Sequence, residues 1–543
     1  MRRLTTAALL GLVAACSAPA TTPAGDGAGG DPGGGAGGSG AIGGGGGTSG
    51  DGGAGLGFVP GPRVPPSSAR LAQGLAITGV AVFQGVKVPV AQAGVKVTAR
   101  PMPVVANRPG LVRAYVAPGA GWQAHAVSAE LHLVGAPGGF PVLRDSKVIA
   151  RASAEADLGS TFNFDVPGAS LPGGVTYFIE LIDGAAPSVA TSSRSDAQYP
   201  PSGGVEALGA TDGGGALRVK LVPIAYGVDG TGRVPDTSAA VLQGLHDRIL
   251  ELYPVPSVDL TVRAPVAYAK QVLADGTNWD DLLLTVTEAR MGDRAPADVY
   301  YYAGVAPQPT LDGFCPGGTC VHGLSNLVTS ATDGAQRASV GLLYADARTY
   351  GTAPHEIGHA HGRSHAPCGN APAPDPNFPY PNAGVGVWGY SILSKQLMDP
   401  ATHVDQMSYC QPAWQSDYSF AALFDRGQRV NVGERVGPSW DAPVAGGALD
   451  RSGAPALAPY RIVRIAADGA LSWRGEARSL RPEDAGGEAR PARFLDGSGA
   501  EVATAIARVT RYDHLGGGFA LVPLPSAAFA SVVLDGVGAL GRP

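Results

Sequence analysis

The chain has 543 residues, with 81 glycines, 46 prolines and only 15% charged residues. That length exceeds a single hydrophobic core, so about three domains are expected, and the mix suits β-rich domains with many turns. A net charge of −6 leaves no basic footprint and excludes nucleic-acid binding as the organising function.

Arg2 and Arg3 precede a short apolar stretch, Leu4 to Val13, which is too short to span a bilayer. This is the layout of an export signal. It ends in Val13-Ala14-Ala15-Cys16, which resembles the bacterial lipobox, where the chain is cut before the cysteine and the thiol is lipidated. Residues 1–16 are therefore expected to be a lipoprotein signal peptide and Cys16 the lipidation site, with a plain secretory signal as the alternative. Ser17 resembles an outer-membrane sorting residue of Gram-negative bacteria. The expected location is the cell envelope: exported and lipid-anchored, at the outer membrane or cell surface. Elsewhere no run of about 18 or more apolar residues occurs, so the lipid would be the one membrane attachment.

Residues 17–61 are mostly glycine with Ala, Ser, Asp, Thr and Pro. Such a segment buries too little apolar area to offset its ordering entropy, and reads as a disordered tether spanning roughly 35–40 Å. From 62 to 205 the pattern is all β. ITGVAVFQGVKVPV (77–90), GLVRAYV (110–116), AVSAELHLV (126–134), TFNFDVP (161–167) and TYFIELI (176–182) are rich in Val, Ile and aromatics. Ala129, Leu131 and Leu133 alternate with Glu130 and His132. An immunoglobulin-like β-sandwich is expected, with His125 and His132 as surface residues.

After the glycine-rich joint at 203–215 the pattern changes. LRVKLVPIAY (217–226), VDLTVRAPVAY (258–268), ADVYYYAGV (297–305) and ASVGLLYAD (338–346) read as strands. Asp236 to Leu252 reads as a helix, with Val241, Leu242, Leu245, Ile249 and Leu252 on one face and Pro254 beyond its end. Trp279, Leu282, Leu283 and Val286 mark another. Residues 216–436 thus predict an α/β domain with a mixed sheet. Residues 440–543 return to strands, as in YRIVRIA (460–466) and FALVPL (519–524), and predict a small C-terminal β domain of unreadable role.

His355-Glu356-Ile357-Gly358-His359 carries the chemistry. On a helix, His355 and His359 leave the same face and can share one ion. Glu356 is turned about 100° around the axis, so it misses the metal but reaches a water held by it. Gly362 can stop the helix in the left-handed conformation and let the chain return His365 as a third ligand. Three histidines with one open position are the arrangement of a catalytic zinc. His361 points elsewhere, either near the site or exposed. Four cysteines besides Cys16 allow three pairings; the short loop from Cys315 to Cys320 favours a local bridge, leaving Cys368 with Cys410. A second zinc site from Cys315, Cys320 and His322 competes with that reading, but no fourth ligand is evident.

His355-Glu356-x-x-His359-x-x-Gly362-x-x-His365 resembles the signature of the metzincin zinc endopeptidases. The resemblance implies a Met-containing turn beneath one Zn²⁺. Met398 and Met407 are the candidates, and Met407, followed by Ser408-Tyr409, is preferred. It implies that Tyr409 helps stabilise the reacting carbonyl; packing beneath the site is the alternative. It places Cys368 and Cys410 where a bridge would pin the turn. It also implies that the ASVGLLYAD strand borders the cleft and pairs with extended substrate. Trp414 and Tyr418 stand either at the cleft wall or in the core. Within the metzincins the chain is most similar to secreted bacterial mucin-degrading zinc metalloproteases, although Ser364 stands where their pattern has glycine.

The expected activity is zinc-dependent hydrolysis of peptide bonds in extracellular proteins or glycoproteins, with Glu356 as general base. The rival from another class is a cell-surface adhesin or glycan-binding lipoprotein with a non-catalytic metal site. A zinc hydrolase acting on non-peptide bonds is a third reading. The sequence does not give cleavage preference or oligomeric state.

Overall fold

The computed structural model describes residues 71–136, 141–184, 196–433, 458–480 and 485–543. The leader, Cys16 and the glycine-rich tether lie outside them. The described chain is mostly β-sheet, in several sheets, with few helices. None of its helices is long and apolar enough to cross a membrane.

Two sheets enclose the first core. One orders Val95–Lys96, Lys87–Gln92, Leu75–Phe83, Gly110–Pro118 and Phe162–Val166. The other runs Gln198–Tyr199, Thr176–Ile182, His125–Val134 and Val142–Ile149, with Glu206–Ala207 also on Thr176–Ile182. Val82, Val112, Leu131, Leu133 and Ile179 meet between them, all fully buried. The stretch 77–90 is not one strand. It turns at Gln84–Gly85 into a hairpin. The opposite face of His125–Val134 is covered as well. His132 stacks on Phe178, with ring centroids 4.1 Å apart, and Glu130 takes a 2.7 Å hydrogen bond from Arg144. His132 is therefore packed rather than a surface residue. His125 is half exposed and held 2.7 Å from Asp183.

The central sheet orders Val258–Val262, Leu217–Tyr226, Val299–Val305, Ala338–Leu342 and Gly323–Ser325, with Val266–Tyr268 also on Leu217–Tyr226. Its ladders are parallel except the last, where Gly323–Ser325 runs antiparallel to Ala338–Leu342. The ASVGLLYAD strand is thus internal, and the edge belongs to Gly323–Ser325. A single-sequence reading misses this because a three-residue strand carries almost no periodic signal.

Helix Ala239–Leu252 buries Val241, Leu245, Ile249 and Leu252. It begins three residues later than the pattern predicts, because the Asp236 carboxylate accepts from the Ser238 backbone N–H and forms a turn first. It shares a core with helix Thr352–Ala360, through Tyr300, Tyr302 and Ile357. Helix Trp279–Gly292 fills the other side of the sheet.

A buried arginine joins the first two units. The guanidinium of Arg108 is 0% exposed and donates to the carbonyls of Gln84 (2.8 Å), Val255 (2.7 Å), Leu250 (2.7 Å) and Glu251 (3.3 Å). Two of these are end carbonyls of helix Ala239–Leu252, which otherwise lack partners. Burial lowers the Arg108 pKa to about 9, so it stays cationic at neutral pH. Phe420 and Phe424, on helix Asp417–Gln428, enter the N-terminal core beside it.

The C-terminal unit is one seven-stranded antiparallel sheet. Its order is Leu471–Leu480, Ala458–Ile465, Gly518–Pro523, Glu501–Arg511, Glu488–Leu495, Ser531–Leu534 and Gly538–Gly541. The sheet curls until its ends approach, and the Trp473 indole N–H donates to Gly541 O at 2.6 Å. Its concave face holds Val463, Phe494, Val509 and Val532. Tyr460, Ile462, Phe519 and Leu521 instead join the core of helix Trp279–Gly292. Arg474 reaches Asp281 and, at 3.1 Å, Glu288, while Arg464 reaches Asp280 at 2.8 Å.

Truncating Arg108 to Ala should orphan all four carbonyls and lower stability by about 3 kcal/mol or more. Lys should recover only part of that, since one ammonium cannot reach acceptors in so many directions. Urea denaturation of the three proteins checks this; equal midpoints would refute the joint.

Candidate metal centre and cleft

From strand Ala338–Leu342 the chain passes a short turn, Ala347–Tyr350, capped by Asp346, into helix Thr352–Ala360. Four residues apart on one face, His355 and His359 bring their Nε2 atoms to 3.1 Å. The helix stops at Gly362, whose φ is +83°. Any side chain there would be strained, and its Cβ would lie 2.6 Å from Val328 O. The chain turns back and sets the His365 ring 4.6 Å from that of His359 and 5.5 Å from that of His355. One ligand atom from each of the three histidines lies within 4.8 Å of the others.

Each ring is oriented by its other nitrogen. Nδ1 of His355 faces Gln406 O at 2.6 Å, that of His359 faces Arg363 O at 2.6 Å, and that of His365 faces Pro372 O at 2.8 Å. A carbonyl only accepts, so each Nδ1 carries the hydrogen and each neutral Nε2 turns a lone pair inward. Burial lowers all three pKa values, that of His365 to about 4, which keeps the rings in the ligand form at neutral pH. Nε2 of His365 is buried without a protein partner. Converging lone pairs with nothing to share between them are the donor set a divalent zinc requires, so the residues fit such an ion.

Glu356 is 3% exposed, and its Oε2 also lacks a protein partner. Burial first, then the charge of Asp513, raises its pKa well above the ordinary carboxyl value. A cation among the imidazoles acts in the opposite direction and favours the carboxylate. The edge strand makes room for it: a Cβ on Gly323 would stand 2.5 Å from Glu356 Oε1.

Below the helix lies a tight turn. Asp405 accepts the Met407 N–H through its carboxylate (2.8 Å) and the Ser408 N–H through its carbonyl (2.9 Å). Met407 is 1% exposed and lies against Gly358, where an added Cβ would come 2.6 Å from its sulfur. Met398 is half-buried in the two-residue strand Leu397–Met398. Ala366 N donates to Met407 O, Tyr409 N donates to Cys368 O, and Cys368 is bonded to Cys410. The third-ligand loop and the turn are thereby tied together. The Tyr409 ring lies 4.9 Å from that of His365 and is partly exposed in the cleft. The cleft has a volume of about 250 Å³ and is bordered by His322, Gly323, Arg348, Glu356, Tyr409 and His514.

Other residues fall elsewhere. Cys315 and Cys320 are bonded to each other, which removes both thiolates from a second zinc site with His322. His361 is neither beside the metal centre nor exposed: it is buried and stacks on Tyr300 at 4.0 Å. Trp414 is in the core, its N–H donating to Gly85 O at 2.8 Å. Tyr418 donates to Asp375 at 2.9 Å and does not border the cleft. Sequence reasoning missed Asp513 and His514, which the C-terminal sheet delivers to the histidines. His359 Nε2 lies 3.3 Å from Asp513 Oδ2. No spacing rule connects an Asp-His pair in a distant hairpin with a helix motif.

The family model of Peptidase M66 matches residues 326–425. The match begins one residue beyond the edge strand and includes the three histidines, Glu356, Met407 and Tyr409. It supports a metallopeptidase acting on protein substrates. No curated protein matches the chain.

His361 gives the region a pH dependence. Burial, joined by the charges of Arg426 and Arg337, lowers its pKa to about 3 against the Ile357 carbonyl bond. Above about pH 6.5 the ring is neutral folded and unfolded, and stability is unaffected. As pH falls from there, the unfolded chain binds a proton that the folded chain refuses, costing about 2–3 kcal/mol at pH 4.5. His361→Phe keeps the stack and should lose that much less stability than wild type between pH 7 and pH 4.5. Urea titrations at both pH values measure it, and parallel losses would contradict the assignment.

Proposed function

We propose that the protein is an exported zinc-dependent endopeptidase that hydrolyses peptide bonds of extracellular proteins or glycoproteins. The carrying observation is the convergence of three Nε2 lone pairs beside a buried glutamate at a cleft. A zinc ion held by His355, His359 and His365 supplies Lewis-acid activation of the scissile carbonyl and of the attacking water. Glu356 takes the proton of that water on its carboxylate and returns it to the leaving amine. Tyr409 hydrogen-bonds the oxyanion that forms on the carbonyl oxygen. Gly323, on the edge strand, leaves the Glu356 carboxylate its space and borders the path of an extended peptide.

The HExxHxxGxxH spacing and Met407 support the finer assignment to metzincin-like chemistry. The apolar leader and Cys16 support a lipid anchor at the outer membrane or cell surface. Residues 62–205, 216–436 and 440–543 are the corresponding domains, held off the membrane by the tether. The adhesin reading is disfavoured by the full ligand set and the adjacent base, neither of which adhesion needs.

Replacing Glu356 with Ala should leave zinc content unchanged and slow casein hydrolysis at least about 100-fold. His359→Ala should lose both zinc and hydrolysis. Metal analysis and a casein assay with and without chelator check this. Hydrolysis that survives in Glu356→Ala or in excess chelator would refute the mechanism.

A further inference from the structure

The outer edge of strand Gly323–Ser325 and its continuation are occupied by the chain's own C-terminal unit. Leu327 N donates to Arg511 O at 3.0 Å, Asn326 bridges Tyr512 antiparallel, and Asp513 N donates to Ser325 O at 3.1 Å. Residues 511–513 thus extend the central sheet by backbone pairing, on the side an extended substrate would use. Tyr512 is 5% exposed and sits in the core of helix Trp279–Gly292, its hydroxyl 3.4 Å from Asp280 O.

This pairing drives Asp513 into the metal centre, where its side chain is 0% exposed. Its Oδ1 accepts from Ser325 N at 2.8 Å. Its Oδ2 lies 3.3 Å from His359 Nε2, and also contacts His514 Nδ1. His359 Nδ1 is engaged with Arg363 O, so its Nε2 presents a lone pair rather than a hydrogen. Two acceptors facing each other across that distance lack the proton that would join them. Donors around a tetrahedral zinc with bonds of about 2.0–2.1 Å stand about 3.3 Å apart. The separations of 3.1 Å between His355 and His359 and 3.3 Å between His359 and Asp513 are edges of that size. Asp513 also falls within 4.8 Å of the ligand atoms of His365 and His514, and of those of His359 and Glu356.

We infer that Asp513 is a fourth protein ligand of the zinc, delivered by the C-terminal sheet into the position the attacking water needs, so that this conformation is latent. The inference rests on the zinc-peptidase reading. Turnover requires the 511–514 segment to leave both the ion and the sheet edge, which are released together because the same residues hold both.

The test uses the full chain, Asp513→Ala, and Asp513→Asn, which keeps the shape. Chelator competition should show zinc affinity falling at least about tenfold in Asp513→Ala. In the cobalt-substituted protein, acetohydroxamate should shift the visible spectrum of both variants at concentrations that leave wild type unchanged. Casein hydrolysis by the zinc forms should rise several-fold over wild type. Unchanged affinity together with equal hydroxamate access in all three proteins would overturn the inference alone. So would lost hydrolysis at wild-type zinc affinity, which would put Asp513 in the working machinery. Failure of wild type to bind metal would overturn this inference and the peptidase reading together. The predicted metal and hydroxamate effects with no hydrolysis by any form would support the ligand assignment and overturn only the peptidase reading.

Discussion

The site depends on three backbone carbonyls. Gln406 O, Arg363 O and Pro372 O each accept an Nδ1–H, and each comes from a different piece of chain. One belongs to the turn under the helix, one to the residue after its glycine stop, one to the loop beyond the third histidine. A neutral hydrogen bond contributes only about 1 kcal/mol of net stability. The larger consequence is directional: with Nδ1 committed, the ring cannot flip or change tautomer, and Nε2 has only the shared point to face. Misplacing any one carbonyl would leave only two of the three imidazoles aimed at that point. The bond between Cys368 and Cys410 and the pairing of Ala366 with Met407 therefore matter chiefly because they hold those carbonyls in register.

Close approach is the second constraint. Helix Thr352–Ala360 is buried along its whole length, with the Met407 turn against one side and the edge strand against another. Gly358 lets the methionine sulfur reach the backbone, and Gly323 lets the Glu356 carboxylate lie across the strand. A side chain at either would have to displace the group whose placement gives the helix its chemistry.

Local features were legible and long-range ones were not. The same-face pair His355 and His359 follows from helical periodicity, and the stop at Gly362 from a backbone conformation that favours glycine. The alternation in Ala129, Leu131 and Leu133 marked a buried face for the same kind of reason. What the sequence hid is pairing between distant segments. The cleft-edge strand is three residues long and antiparallel, so the strand next to the helix motif in sequence is not the one at the cleft. His132 read as polar surface and His361 as either near the site or exposed, yet Phe178 and Tyr300, each brought from a strand, cover them. Arg108 finds four carbonyls on three segments, and Asp513 finds histidines on a distant helix and its following loop; neither relation leaves a period or a motif.

Two different strengths of attachment hold the C-terminal unit. Its sheet is fixed by a shared apolar core and by Arg464 and Arg474 on Asp280, Asp281 and Glu288. Removing it would expose Tyr460, Ile462, Phe519 and Leu521 to water, at roughly 1.5–3 kcal/mol for each large apolar side chain. The segment carrying Asp513 depends on much less: a few backbone hydrogen bonds, the burial of Tyr512, and whatever the carboxylate gains at the metal. It is followed by Gly516, Gly517 and Gly518, the last two at φ of +99° and +156°, where the backbone has the widest conformational choice. Opening the cleft is therefore a smaller step by movement of this hairpin end than by undocking the sheet. The sheet keeps the segment close to the metal, so that closure is an intramolecular event with a high effective concentration. A substrate strand that pairs with the edge competes against those few bonds and the burial of one side chain, Tyr512, and leaves the rest of the core that anchors the unit in place.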